Sequence, residues 1–246
     1  MTTPQPGFDP IARAYALLVD EPKRWAYEGP IVARWLEAAG ERRRRVLDVG
    51  CGTGFHARHL AGHLGAQVTA IDPAAGMLDA ASGRPFGDRV GWLAAPAEAP
   101  PDGPFDLILV LGNTLSLIAD PADSLAALAR VAVPNALLVI QTLDYDALRQ
   151  GGPKRVVRSD DRLTIEKRLT PVPDESPIAA RLEITVRGSG GERLGGMTEE
   201  LHDHPTARLE SQAARQGWTV IDRRRSYRYR DSGNDRILLL RLHDMA

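Results

Sequence analysis

Two carboxylates and a run of glycines are the residues best placed to do chemistry in this chain. In VLDVGCGTG, Val46 to Gly54, an apolar run carries Asp48 near its end and passes into Gly50, Gly52 and Gly54 before the helical pattern FHARHLAGHL begins. A strand that stops in a glycine turn and hands over to a helix leaves bare backbone amides at the helix N-terminus, with no Cβ to hold a ligand away. A dinucleotide fingerprint would space its glycines GxGxxG, the third allowing close helix-to-strand packing. Here Phe55 occupies that third place. Asp48, two residues ahead of the first glycine, would point its carboxylate at whatever lies over the turn, which suits an ammonium or a hydroxyl better than a diphosphate. Asp72 closes the next apolar run, QVTAID. It lies about twenty residues on, where a second-strand acid accepts both hydroxyls of an adenosine ribose. Pro73 follows at the favoured first helical position, so Asp72 also reads as an N-cap, and the two roles are compatible.

VLDVGCGTG, AIDPAAGML and FDLILVLGNTLSLI stand in the order and at the separations of the first motifs of class I S-adenosylmethionine-dependent methyltransferases, which this chain resembles. The likeness is strong from Val46 to Leu143 and weak at both ends. It implies S-adenosyl-L-methionine as cofactor and S-adenosyl-L-homocysteine as product. Gly50, Cys51, Gly52 and Gly54 would shape the cofactor cleft. Asp48 would hold the methionine ammonium directly or through water, and Asp72 with Pro73 would hold the ribose. Met77 is similar in position to the residue that packs on adenine, although plain core has an equal claim. Members often carry an acid after the third strand, in a pattern like DAE, to accept from the adenine amine. Pro96-Ala97-Glu98 stands there instead, leaving the Ala97 amide and the Glu98 carboxylate for the ring. Leu111 and Arg24 complete the expected cofactor set.

For the acceptor, Asn113 in LGNT resembles the substrate-facing asparagine of glycine N-methyltransferase, with capping of a turn as its alternative. Tyr15 and Tyr145 are further candidates for the acceptor pocket. His204, with His202 on the other side of Asp203, is a candidate general base. Methyl transfer asks for positioning and exclusion of water rather than a metal or a covalent nucleophile. His56, His59 and His63 share a helix face, but no cysteine or carboxylate accompanies them and no metal is expected. Cys51 reads as a small residue in a crowded turn.

These residues need a scaffold that brings distant loops together. Strand and helix patterns alternate from Val46 to Leu143: the first strand, QVTAI, RVGWLAA, DLILVLG and ALLVIQTL, with helices around Ala57 to His63, Ala74 to Ala81 and Pro121 to Val131. Runs apolar on both faces imply a parallel sheet covered on both sides, whose ligands bind beyond the carboxyl ends of its strands. Gly50, Asp72, Ala95 and Asn113 all fall there. Before it, IARAYALLVD and GPIVARWLEAAG read as two helices forming a lid; Arg42 to Arg45 read as a solvated turn. After Gly151, short alternating strands suggest an antiparallel patch, and then LESQAARQG, WTVIDRRRSY and DRILLLRLH supply a last helix-strand-strand. The expected fold is therefore α/β, a Rossmann-like, seven-stranded, mostly parallel sheet with helices on both faces. One domain spans 1–246, with a lid (1–44), a cofactor-binding core (45–150), an antiparallel β insertion (151–205) and a completion of the sheet (206–246).

With 246 residues, of which 43% are apolar, such a domain can bury a large core. Thirty-one basic against 32 acidic side chains give a formal charge of -1, so no overall field draws nucleic acid or an anionic membrane. A small-molecule acceptor is the expected partner, and a homodimer is left open. One cysteine, no leader pattern and no apolar run of spanning length suggest a cytoplasmic protein. Two other readings remain: a nicotinamide-dependent oxidoreductase, and a catalytically silent cofactor-binding module of the same fold.

Overall fold

The computed structural model describes residues 7–40, 44–173, 178–227 and 233–243; Arg42 and Arg43 of the basic run lie outside them. β1 (Arg45–Val49), β2 (Gln67–Asp72), β3 (Val90–Ala94), β4 (Phe105–Val110) and β5 (Ala132–Leu143) pair in parallel. β11 (Asp235–Leu242) runs antiparallel to β5 on one side and to β10 (Trp218–Arg224) on the other. The sheet order is β10-β11-β5-β4-β1-β2-β3. A strand turns successive side chains to opposite faces, and both faces here are clothed. Leu107 and Leu109 of β4 join one core with Trp35, Leu36, Ala57 and Leu60. Ile108 and Val110 join the other, with Leu125, Leu128 and Leu209. The continuous apolar run of β4 at 107–110 is the consequence.

The helices of the first core are α2 (Glu21–Ala38) and α3 (Phe55–His63); those of the second are α5 (Ala122–Val131) and α7 (Thr206–Ala214). α2 begins well before the expected start at Gly29. Asp20 accepts from the Lys23 amide at 3.2 Å as its N-cap, and Pro30 lies inside the helix. Proline removes one backbone hydrogen bond; the burial of Ile31, Val32, Trp35 and Leu36 along one stripe outweighs it. The preceding IARAYALLVD stretch is less regular than one helix: α1 (Ala12–Tyr15) is flanked by 3-10 turns at Asp9–Ile11 and Ala16–Leu18.

After α6 (Tyr145–Gly151), β6 (Lys154–Ser159), β7 (Leu163–Pro171), β8 (Ile178–Gly188) and β9 (Arg193–His202) form a separate antiparallel sheet in sequence order. Its apolar face, with Ile165, Leu182, Ile184 and Leu201, shares a third core with Ile11, Ala12 and Ala14 of the N-terminal stretch and with Met77 of α4 (Ala75–Ser82). The N-terminal stretch therefore bridges the helix that follows β2 and the second sheet. No described helix is long and apolar enough to cross a membrane.

Candidate active site

The turn after β1 has the backbone that only glycine adopts cheaply. Gly50, Gly52 and Gly54 all have positive φ, at 64°, 55° and 69°. At Gly50 a Cβ would collide with Thr114, whose Oγ1 lies 2.8 Å from the Leu111 carbonyl and 3.2 Å from that of Gly50. At Gly52 a Cβ would meet no protein atom within 4 Å, so this is the open side of the turn. Gly54 faces the other way. A Cβ there would strike the Trp92 ring, so this glycine allows α3 to start close against β3 and does not line the cavity.

That cavity has a volume of about 350 Å³, within the ~300–1,000 Å³ typical of small-molecule sites. Asp48, Gly50, Cys51, Gly52, Asp72, Pro73, Met77, Ala97, Glu98, Leu111, Arg24 and Tyr15 all border it. Asp72 Oδ2 accepts from the Gly52 amide and Oδ1 from the Ala74 amide, both at 2.9 Å. The N-cap position of α4 is Ala74 and not Asp72, yet Asp72 does satisfy the Ala74 amide. Asp48 Oδ2 accepts from Ala57 in the first turn of α3 at 3.1 Å, while Oδ1 has no hydrogen bond among the described residues. Two amides that could have cradled a phosphate are thus already committed to carboxylates. Burial pushes the Asp48 carboxyl up to about 6, against the opposing influence of His56, the Ala57 amide and Arg24. Burial also raises Asp72, more than the Ala74 and Gly52 amides lower it. The Cys51 thiol is raised by burial and by both aspartates, the reverse of an activated nucleophile.

Arg24 reaches the cavity from α2. Its Nε donates to Glu28 Oε1 at 2.8 Å and its guanidinium lies 4.6 Å from the centre of the Phe55 ring. Glu28 Oε2 accepts from His56 Nε2 at 2.6 Å. Burial acts to raise Glu28, but His56 and Arg24 more than reverse this and hold it below the ordinary carboxylate range. α2 is thereby fixed to the start of α3. From sequence, His56 stands only as one of three histidines on a helix face and nothing points to Glu28 as its partner, although Arg24 and Glu28 at i,i+4 are a readable pair. Phe8, Asp9, Phe55, Thr114 and Glu199, which also line the cavity, were not singled out from sequence either. At the other end, Met77 is buried in α4, and Ala95, Pro96 and Ala97 form the wall after β3. Glu98 Oε1 accepts from Ser124 Oγ at 2.7 Å, which ties it to α5.

Three residues expected near the reaction, Asn113, Tyr145 and His204, stand elsewhere. Asn113 has left-handed backbone, φ 69°, and its side chain is consumed by the fold. Its Oδ1 accepts from the Leu143 amide at 2.8 Å and Ser116 Oγ at 3.0 Å, and its Nδ2 donates to Tyr145 Oη at 2.9 Å. It staples the end of β4 to the end of β5, and β4 reaches the cavity through Leu111, Gly112 and Thr114 instead. Tyr145 is fully buried in the same staple. His204 is buried away from the cavity, with Nε2 donating between the carbonyls of Leu115 (3.1 Å) and Ile118 (3.0 Å). Burial lowers its pKa. His202 ends β9, and Asp203 accepts from Arg236 at 2.7 Å. His59 Nδ1 contacts the Phe55 carbonyl, and Trp25 packs on His59 and His63. Among the described residues no group of three His, Cys, Asp or Glu side chains could hold a metal ion.

Residues 46–135 match a family described as a methyltransferase domain. Over this stretch the chain is similar to methyltransferase domains. Among curated relatives of this domain, a ubiquinone biosynthesis O-methyltransferase of Caulobacter sp. (strain K31) is 32% identical over 123 residues, 46% of this chain and 48% of that protein. Another of the same name from Bordetella parapertussis is 36% identical over 122 residues, 47% and 50% of the two chains. The chain spans about half the length of these relatives. The methyltransferase fold extends further. An S-adenosylmethionine-dependent methyltransferase of Clostridium acetobutylicum superposes with a TM-score of 0.73 over 96% of both chains at 16% identity. The sugar N-methyltransferase KedS8 of Streptoalloteichus sp. does so with 0.73 over 89% of this chain and 88% of its own, at 18% identity.

Proposed function

We propose that this protein transfers a methyl group from S-adenosylmethionine to a nitrogen or oxygen of a small molecule. The reading rests on one observation: the open side of the Gly50–Gly52 turn and the carboxylates of Asp48 and Asp72 face a single small-molecule cavity. A diphosphate there would meet two carboxylates already bonded to the amides it needs, which disfavours a nicotinamide dinucleotide. An adenosyl group with an amino-acid tail suits them.

The cofactor supplies a methyl carbon activated by a positively charged sulfur and leaves as the thioether S-adenosylhomocysteine. The rest is the work of this chain. Asp72 keeps free acceptor capacity for the ribose hydroxyls after taking two amides. Asp48 Oδ1 is left to receive the ammonium. Met77 and the wall at 95–97 would enclose adenine, with the Ala97 backbone and Glu98 as its polar neighbours. The Arg24–Glu28–His56 bridge holds the lid helix over the methionine end, and Tyr15, Phe8, Leu117 and Ile118 supply apolar walls that keep water from the transferring carbon. The likeness to a ubiquinone biosynthesis O-methyltransferase and to a sugar N-methyltransferase supports a small organic acceptor. Calorimetric titration with S-adenosylhomocysteine tests the reading: saturable micromolar binding with no competition from NAD is expected. Competition by NAD, or no binding at millimolar ligand, would overturn it.

A further inference from the structure

Glu199 is the one residue that the four-stranded sheet contributes to the cavity among the described residues. It projects from β9, a strand that packs against both the Asp9–Ile11 turn and the Thr114–Leu117 turn. The chain makes room for it: a Cβ at Gly7 would collide with the Glu199 carboxylate. Its carboxylate is partly buried and takes no hydrogen bond or ion pair among the described residues. Burial alone raises its pKa. Such a group costs free energy unless something completes it.

The other charged groups of the cavity already have partners or a proposed role. Arg24 and His56 are both held by Glu28, Glu98 by Ser124, and Asp9 Oδ1 by the Gly76 amide at 2.7 Å. Asp48 and Asp72 belong to the cofactor under the reading above. Glu199 remains, with the aromatic rings of Phe8 and Tyr15 beside the same space, 5.8 Å apart and edge to face. A carboxylate accepts hydrogen bonds and cannot donate them, and aromatic faces attract cations. Both features select a positively charged or N–H-rich group and repel a carboxylate or phosphate.

Resting on the methyltransferase reading, we propose that Glu199 is the acceptor-binding residue and that the acceptor is an amine, held by its N–H groups against this carboxylate. Glu199 is thus a specificity determinant placed on the second sheet. An amine that enters as an ammonium first gives a proton to solvent; its lone pair then forms the N–CH3 bond as the S–CH3 bond breaks to the thioether, and the carboxylate favours the positive charge left on the methylated nitrogen.

The test is binding rather than turnover. Protein saturated with S-adenosylhomocysteine is titrated by calorimetry with matched probes, benzylamine against benzyl alcohol and cyclohexylamine against cyclohexanol. Each amine is expected to bind about tenfold tighter than its alcohol. Glu199→Gln should bring each pair within about twofold while leaving S-adenosylhomocysteine affinity unchanged and thermal stability no lower than wild type. Gly7→Ala, which displaces the carboxylate without removing its charge, should also reduce the preference. Equal binding of amines and alcohols, absence of binding by both, or a preference that survives in Glu199→Gln would overturn the assignment and leave the methyltransferase reading intact. Failure of S-adenosylhomocysteine itself to bind would remove both.

Discussion

Asp48 gives the most demanding test, because one carboxyl should act in opposite directions on the empty and the filled protein. Its pKa stands at about 6 in the fold against an ordinary 3.8. An acid raised on folding binds more protons in the native state, so its stabilising contribution is complete below pH 4 and is lost as pH rises towards 6. The two-unit gap corresponds to about 3 kcal/mol lost from the ligand-free fold at neutral pH. An ammonium at Asp48 Oδ1 reverses the balance, since it favours the ionised form. At pH 5 about nine in ten of these carboxyls hold a proton, so S-adenosylhomocysteine should bind about tenfold more weakly than at pH 7.5. Asp48→Asn keeps an oxygen for the Ala57 amide and removes the charge. At pH 7.5 it should raise the melting temperature of the free protein yet weaken the ligand by about 10–100-fold, the value of a charge-assisted hydrogen bond. Calorimetry and thermal unfolding from pH 5 to 7.5 read both effects. Asp72 is raised in the same direction, so a residual slope in the variant is its share. A full wild-type slope in Asp48→Asn would refute the assignment of the ammonium to this residue.

Asp72→Asn leaves one of its two amide donors facing an NH₂ group and removes charged acceptors from the ribose; calorimetry should show affinity falling by about 30–100-fold, with a lower melting temperature. Alanine at Gly50 and at Gly52 should separate fold from function. The first adds a collision with Thr114 to positive-φ strain and should cost about 2–4 kcal/mol in denaturant titration. The second carries only the backbone penalty of about 1–2 kcal/mol but puts a methyl group into the open side of the turn, so its main effect should be lost cofactor affinity. Asn113→Ala removes the bonds to Leu143, Ser116 and Tyr145; it should lose about 2–4 kcal/mol of stability while binding S-adenosylhomocysteine within about twofold of wild type.

The sheet was legible because burial on both faces forces a pattern: β4 is continuously apolar at 107–110 and β5 at 136–140, and no loop or surface helix demands that. The glycine turn was legible because positive φ and open space both call for glycine. Side-chain partners set by tertiary approach leave no such pattern in the sequence. Asn113 looks from its turn like a residue facing a ligand, yet its amide meets Leu143, thirty positions away in the chain. His204 carries the right chemistry for a base, and two carbonyls of a distant turn claim its ring nitrogen. Pro30 resembles a helix start because proline is favoured there, and only the packing of Trp35 and its neighbours shows the helix running through it. Glu199 carries no local signal at all, since an acid on an alternating strand is ordinary until a cavity is known to lie beneath it.

The placement of β11 governs how the molecule must assemble. Gln141 at the end of β5 donates to Asp235 at the start of β11, a separation of 94 residues. Until that segment arrives, β5 carries a raw hydrogen-bonding edge in the middle of what will become the sheet, while β6 to β9 can zip together from neighbouring hairpins. Such an edge invites pairing with another chain, and distant strand pairing is slow to form. The step most exposed to aggregation should therefore be the closing of the large sheet around its antiparallel strand, after the small sheet and the glycine turn have already taken shape.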